Sequence, residues 1–225
     1  PVAFLTAWYA LVELGGVSQG QRVLIHAASD DVGLAAIAIA RHLGAEIFAT
    51  VSDRGMATLR ELGFDDEHLA SVDNLGFEQK FVSASQGKGV DVVLDCLADE
   101  FVDASLRLLS KGGRFVERGD EDVRDPLRVS AAYPGVRYQV ARIEQLDPDF
   151  LHAQASELIR AGVVQPLPVT TWDLRRAAEA LRSLGQDGVI GKVVLIPPRG
   201  MDPEGTVLIT GGTGALGSLV AKHLV

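Results

Sequence analysis

The sequence predicts a doubly wound α/β fold, a parallel sheet with helices on both faces, and three observations carry that expectation. An apolar strand, a small polar turn, an Ala/Ile-rich helix and a second apolar strand follow one another between Gln21 and Val51, about the thirty residues a βαβ unit needs. Two more apolar runs, Val90–Leu94 and Arg114–Glu117, flank the helical pattern Phe101–Leu109. Near the C-terminus a further strand-like run meets a glycine-rich loop that opens a helix. Strands alternating with helices bring parallel strands side by side.

The elements follow in order. Pro1–Gly16 is apolar with helical spacing at Leu5, Trp8, Leu11 and Val12; with no initiator methionine, the chain is expected to begin inside a longer polypeptide. Val23, Leu24 and Ile25 form the first strand, a helix runs to His42 and stops at Gly44, and Ile47–Val51 is the second strand. Lys111–Gly113 reads as the C-cap of the helix Phe101–Leu109. A helix from about Phe150 to Ala161, an extended piece to Pro168, a helix Asp173–Leu184 and a strand Lys192–Ile196 complete a unit of residues 1–196. Residues 197–205 carry three prolines and read as an interdomain linker. Residues 206–225 start afresh, with a strand Thr206–Thr210, a loop Gly211–Gly217 and a helix from Leu216.

At 225 residues and 47% hydrophobic content the chain supports one sizeable core and the beginning of another. Its net charge of −9 comes from 30 acidic and 21 basic residues without a block of either sign, so there is no basic stripe and no nucleic-acid partner is expected. The single cysteine, Cys96, excludes an internal disulfide framework. No leader and no apolar run of about twenty residues is present, so no membrane partner and a cytoplasmic location are expected.

The loop Gly-Gly-Thr-Gly-Ala-Leu-Gly (Gly211–Gly217) sits between a strand and a helix, the context that makes a glycine pattern a dinucleotide signature. Its glycines let the backbone approach a pyrophosphate at the helix N-terminus. Gly211, Thr213, Gly214, Leu216 and Gly217 are therefore candidate cofactor contacts; the alternative is a glycine-rich linker. The first βαβ turn, His26 to Ala35, stands where another phosphate loop is expected, with Ser29, Asp30, Asp31, Val32 and Gly33 at its centre. It holds one glycine and two adjacent carboxylates. A carboxylate about 5 Å from a pyrophosphate costs on the order of 3 kcal/mol at an effective dielectric of about 20, more than a few amide hydrogen bonds return. Asp30 and Asp31 equally suit the capping of the next helix with no phosphate present. After the second strand, Ser52-Asp53-Arg54 is either a solvated turn or the contact with an adenosine ribose, where Arg54 would select a 2′-phosphate. His26, His42 and His68 are scattered, and neither metal-ligand spacing nor a serine nucleophile elbow occurs, so no metal and no covalent nucleophile are expected.

Several segments together carry a family resemblance: Phe4-Leu5-Thr6-Ala7-Trp8-Tyr9-Ala10-Leu11, the His26-Ala27-Ala28 turn, Gly87–Leu94, Phe101–Arg107, Gly112–Phe115, Pro134–Tyr138, Pro166–Thr170 and Gly191–Leu195. Residues 1–196 resemble the enoyl reductase domains of modular type I polyketide synthases, members of the medium-chain dehydrogenase/reductase superfamily with a Rossmann-like nucleotide-binding domain. Residues 202–225 look like the start of a ketoreductase, which follows the enoyl reductase in such synthases. The resemblance implies NADPH as cofactor, hydride delivery to the β-carbon of an enoyl thioester, and partners in the acyl carrier protein, its phosphopantetheine-bound acyl chain and the other domains of the synthase. It places the cofactor against Ser29, Asp30, Asp31, Val32 and Gly33, against Ser52 and Arg54, and against Cys96, Leu97 and Gly119.

The departures from the family pattern point one way. Asp30 and Asp31 stand where the family has a Gly-Gly pair, and Asp95-Cys96-Leu97 replaces Asn-Ser-Leu. Gly55 replaces a lysine that helps to bind the 2′-phosphate, a loss Arg54 is placed to offset. Asp120 and Arg142 occupy the two positions where the family carries a lysine and an aspartate linked to proton donation. The expectation is an enoyl reductase domain with weakened or lost activity; the alternatives are an active NADPH-dependent reductase and a non-catalytic structural module of the synthase. The substrate half of the enoyl reductase and the catalytic part of the ketoreductase are expected outside these 225 residues.

Overall fold

The computed structural model describes residues 2–119, 122–164, 168–184, 192–198, 208 and 214–224. The chain enters through α1 (Val2–Trp8), which widens into a π-helical turn, Tyr9–Leu14. It then runs through β1 (Arg22–Ile25), α2 (Asp31–His42), β2 (Glu46–Val51), α3 (Asp53–Glu61), β3 (Leu69–Ser71), α4 (Gly76–Ala84), β4 (Val90–Asp95), α5 (Glu100–Leu108) and β5 (Leu109–Glu117). After β5 come α6 (Pro126–Ala132), β6 (Arg137–Val140), α7 (Pro148–Arg160), β7 (Val169–Asp173), α8 (Ala177–Leu184), β8 (Lys192–Ile196) and α9 (Ala215–Leu224). Six strands form one parallel sheet in the order β3-β2-β1-β4-β5-β6. β7 and β8 pair as a separate parallel ribbon. The six-stranded order is that of a doubly wound sheet whose winding reverses between β1 and β4.

Period-two alternation divides the core between the two faces of the sheet. Val23, Ile25, Val51, Val92, Leu94 and Val116 pack under α1 and α2. Leu24, Phe48, Val93 and Phe115 face the other way, against Phe77 and Phe81 of α4 and Val102 and Leu106 of α5. Among the described residues no helix is long and apolar enough to cross a membrane.

Three sequence expectations change. Lys111–Gly113 is not a helix cap: α5 ends at Leu108, Leu109 is already extended, and the Lys-Gly-Gly triplet lies inside β5. The pairing with β4 jumps there from Val90↔Leu109 to Val92↔Arg114, and a Cβ on Gly113 would come within 2.8 Å of Leu109 Cδ2, so this glycine serves an irregular stretch of strand. α7 begins at Pro148, ahead of Phe150, because Asp147 caps it through the Asp149 and Phe150 amides at 2.8 and 3.1 Å. Asp173 closes strand β7 instead of opening a long helix; its carboxylate accepts from the Arg175 amide at 2.8 Å and starts a 3-10 turn, Leu174–Arg176, before α8. β3 and β7 are short, and their pairing partners, unlike hydrophobic periodicity, are not visible along the sequence. The helix expected from Leu216 is α9. Most of the linker 197–205 and of the strand Thr206–Thr210 lies outside the described residues.

Phe115 is fully buried and stacks on Tyr138 with ring centroids 5.3 Å apart. Phe115→Ala is expected to destabilise the domain by about 3–5 kcal/mol, read as a lower urea midpoint at unchanged slope.

Candidate functional site

Open α/β sheets bind ligands outside the carboxyl ends of their strands, at the point where the winding reverses. Here that point is ringed by the residues that follow β1, β4 and β5. β1 leads through a turn into α2, and the two approach so closely at Gly33 that a Cβ there would sit 2.6 Å from the Ala27 carbonyl oxygen and 2.7 Å from Ala28 Cα. Asp30 is the N-cap of α2, with Oδ1 accepting from the Gly33 amide at 2.5 Å. Its other oxygen accepts from the Arg118 guanidinium at 2.6 Å. Asp31, in the first helical turn, pairs with Lys192 of β8. Each carboxylate of the loop therefore has a cation, drawn from 88 and 161 residues away in sequence.

Arg118 is anchored by its own backbone, whose amide donates to the Asp95 carbonyl at 2.8 Å. Burial works against its charge, but Asp30 and Cys96 beside it hold its pKa above the ordinary value. Burial pushes the Cys96 thiol up to about 11 despite the opposing pull of Arg118, so the thiol is protonated and inert. The Leu97 amide donates to Asp95 Oδ2 at 3.1 Å and the Gly119 amide to Glu117 Oε1 at 2.7 Å. Cys96 and Leu97 thus follow the end of β4 and Gly119 the end of β5, the strand that leads into the Arg118 partner of Asp30.

The far end of the crevice lies after β2. Ser52 is the N-cap of α3 without a side-chain capping bond, and Ser52 and Arg54 are exposed. A Cβ on Gly55 would overlap Val51 Cγ2 and lie 2.7 Å from Ser29 Oγ, so a longer side chain at position 55 requires the two loops to separate. Arg142 stands apart, after β6, with Glu144 at 3.9 Å. Gly214 and the exposed Leu216 flank the start of α9, and Gly217 lies in its first turn. Asp120, Gly211 and Thr213 lie outside the described residues.

Beneath the crevice is a buried polar network that sequence reasoning missed. His26 is 2% exposed; its Nδ1 lies 2.7 Å from Thr50 Oγ1 and its Nε2 2.8 Å from Ser105 Oγ. Ser105 donates its own hydroxyl to the Phe101 carbonyl, so the network assigns the ring proton to Nε2 and lets Thr50 donate to Nδ1. Burial lowers the His26 pKa to about 3, and the ring is neutral. Asp95, 3.4 Å from His26 Nε2, and Glu117 end two adjacent strands as register partners. Asp95 Oδ1 and Glu117 Oε2 are both buried without a hydrogen-bond partner. Burial, reinforced by the charge of Glu117, raises Asp95 to about 8; burial, with a smaller push from the charge of Asp122, raises Glu117 to about 7. The signal available in the sequence was a carboxylate closing each of two apolar strands, Val90–Asp95 and Arg114–Glu117.

The sequence profile of the zinc-binding dehydrogenase family matches residues 68–195. The solved nucleotide-binding subdomain of the enoyl reductase domain of PpsC from Mycobacterium tuberculosis superposes with a TM-score of 0.65 at 32% identity, covering 73% of this chain and 96% of that one. The chain belongs to the polyketide synthase enoyl reductases. The crystal structure of CurK enoyl reductase gives a TM-score of 0.79 at 35% identity over 88% of this chain and 61% of that chain. The pikromycin polyketide synthase component PikAII of Streptomyces venezuelae is 54% identical over 228 residues, which is 100% of this chain and 6% of PikAII. The enoyl reductase fold is thus matched closely, while the chain spans a small share of its curated relatives.

Two groups implied by this family can be compared with the residues present. For zinc, no three His, Cys, Asp or Glu side chains converge as a ligand set among the described residues, so these residues do not form a zinc site. For a nicotinamide dinucleotide, the crevice has the position and, at Gly33, the close helix packing that the cofactor needs; what departs is the charge at Asp30 and Asp31.

In this enoyl reductase the Asp95–Glu117 pair also sets a pH dependence. A carboxyl whose pKa is raised by folding keeps its proton in the native state after the unfolded chain has lost it, so stability is greatest at low pH. It falls as pH rises from about 4, the unfolded value, through the folded values of about 7 and about 8. Asp95→Asn is expected to flatten that fall and to stabilise the domain at pH 8 by about 1 kcal/mol or more. Thermal unfolding of both proteins from pH 5 to 8 checks this; parallel curves would refute it.

Proposed function

We propose that the chain is the nucleotide-binding half of an enoyl reductase domain of the type that uses NADPH to reduce an enoyl thioester on an acyl carrier protein, and that this copy is weakened or inactive. The observation that carries the reading is the occupied helix N-terminus: Asp30 takes the Gly33 amide and the Arg118 guanidinium for itself. A pyrophosphate entering there has to displace a carboxylate already bound on both sides. NADPH, when bound, supplies hydride. The chain supplies its seat, with Ser29, Val32 and Gly33 toward the pyrophosphate, Ser52 and Arg54 toward the 2′-phosphate, and Cys96, Leu97 and Gly119 toward the nicotinamide.

The proton-handling positions support the same conclusion. Asp120 and Arg142 stand where the family carries a lysine and an aspartate linked to proton donation, so that pair is not present in its usual form. Residues 206–225 fit the beginning of a ketoreductase, with Gly211, Thr213, Gly214, Leu216 and Gly217 in its phosphate loop; the strand-like run and glycine-rich loop in the sequence support this. The partners in this reading are the acyl carrier protein with its phosphopantetheine-bound chain and the neighbouring domains of the synthase.

An active reductase is the second reading, and it is favoured by the cations opposite both carboxylates, Arg118 and Lys192. NADPH fluorescence titration of a complete enoyl reductase domain ending before residue 197 separates the two. Impairment predicts no saturation at micromolar NADPH in a folded protein and a gain of tenfold or more in Asp30→Gly/Asp31→Gly. Micromolar affinity in the unsubstituted protein would establish the active reading.

A further inference from the structure

The Asp30 carboxylate is held as a bound anion is held. One oxygen accepts from the helix amide of Gly33 at 2.5 Å and the other from Arg118 at 2.6 Å. These are the two kinds of donor, a helix N-terminal amide and a guanidinium fork, that recognise phosphate oxygens. Arg118 follows β5 and Asp30 follows β1, and β4 lies between those strands in the sheet, so the pair bridges the point where the winding reverses. The bridge is partly open to water: the two side chains are 21% and 35% exposed. The Arg118 backbone is tied to the Asp95 carbonyl at 2.8 Å, which fixes where the guanidinium starts.

We propose that Asp30 is an intramolecular stand-in for a cofactor pyrophosphate, and that Arg118 is the residue that grips the pyrophosphate once Asp30 lets go. This rests on the reading of the crevice as a nucleotide site and adds to it a specific ligand and the reason that ligand is idle. Arg118 has five N–H donors and the planar geometry to bind a phosphate through two oxygens, so exchanging one anion for another leaves its charge compensated. Asp30, by contrast, faces the incoming phosphate as a like charge. The loop is closed by its own side chain, and Arg118 is already in position.

Asparagine at position 30 separates charge from structure, because it is as good an N-cap as aspartate and can keep the bond to Gly33 while losing its hold on Arg118. The test is NADPH titration of the full 225-residue chain in four forms, Asp30→Asn, Arg118→Met, Asp30→Asn/Arg118→Met and Asp30→Gly/Asp31→Gly, with thermal unfolding to confirm that each is folded. Asp30→Asn is expected to tighten binding at least tenfold, and adding Arg118→Met is expected to remove that gain. Inorganic pyrophosphate should compete with NADPH in Asp30→Asn and lose that ability in the double variant. A gain that survives Arg118→Met would overturn the proposal by reducing Arg118 to a counterion. So would an unchanged affinity in Asp30→Asn while Asp30→Gly/Asp31→Gly binds NADPH, an outcome that leaves the nucleotide reading standing. Absence of NADPH binding in all four folded variants would remove the nucleotide reading and this proposal with it.

Discussion

A parallel sheet covered on both faces leaves its strand ends as the place where polar groups gather, and those groups have to be satisfied by one another because water is excluded. The carboxyl ends of β1, β4 and β5 are built on that constraint. His26 ends its strand between two hydroxyls, Thr50 and Ser105, each within 2.8 Å, and stays neutral. Asp95 and Glu117 meet across the β4–β5 ladder and answer it differently: burial raises both pKa values and so favours the protonated form, while Asp95 Oδ1 and Glu117 Oε2 keep no partner. Above them Asp30 and Arg118 satisfy it a third way, by charge pairing. The strand ends are thus layered, with a buried layer of His26, Asp95 and Glu117 beneath the Asp30–Arg118 ion pair.

That layering explains why the two aspartates of the first loop are compatible with a stable fold. Left alone, adjacent carboxylates at one helix terminus would repel each other even though the helix end favours negative charge. Here one is a cap with a guanidinium behind it, and the other is tied to Lys192 on β8. The arrangement suits the free protein; in the proposed reading the donors a phosphate would use are the ones Asp30 already occupies. In that reading stability and cofactor affinity oppose each other at Asp30.

Much of the architecture is legible along the chain because it rests on local periodicity. Val23–Ile25, Ile47–Val51 and Val90–Leu94 alternate or run apolar as buried strands do, and the helices between them show their faces. The failures are equally local in cause. Lys111–Gly113 looks like a helix stop because glycine is common at both helix ends and strand irregularities, and only the pairing of β5 with β4 distinguishes them. β7 is a short run of mostly strand-favouring residues, Val169–Asp173, whose pairing partner β8 lies about twenty residues further along the chain.

The sequence by itself determined the doubly wound class and the family, because those follow from short-range pattern and from motif identity. It also showed that Asp30 and Asp31 are out of place in a phosphate loop. Only the tertiary structure decided what they do there. The partners of those carboxylates lie 88 and 161 residues away, and the raised pKa values of Asp95 and Glu117 follow chiefly from folding taking both out of water. Charge pairing and desolvation are properties of distance and burial, and neither is written in the order of residues.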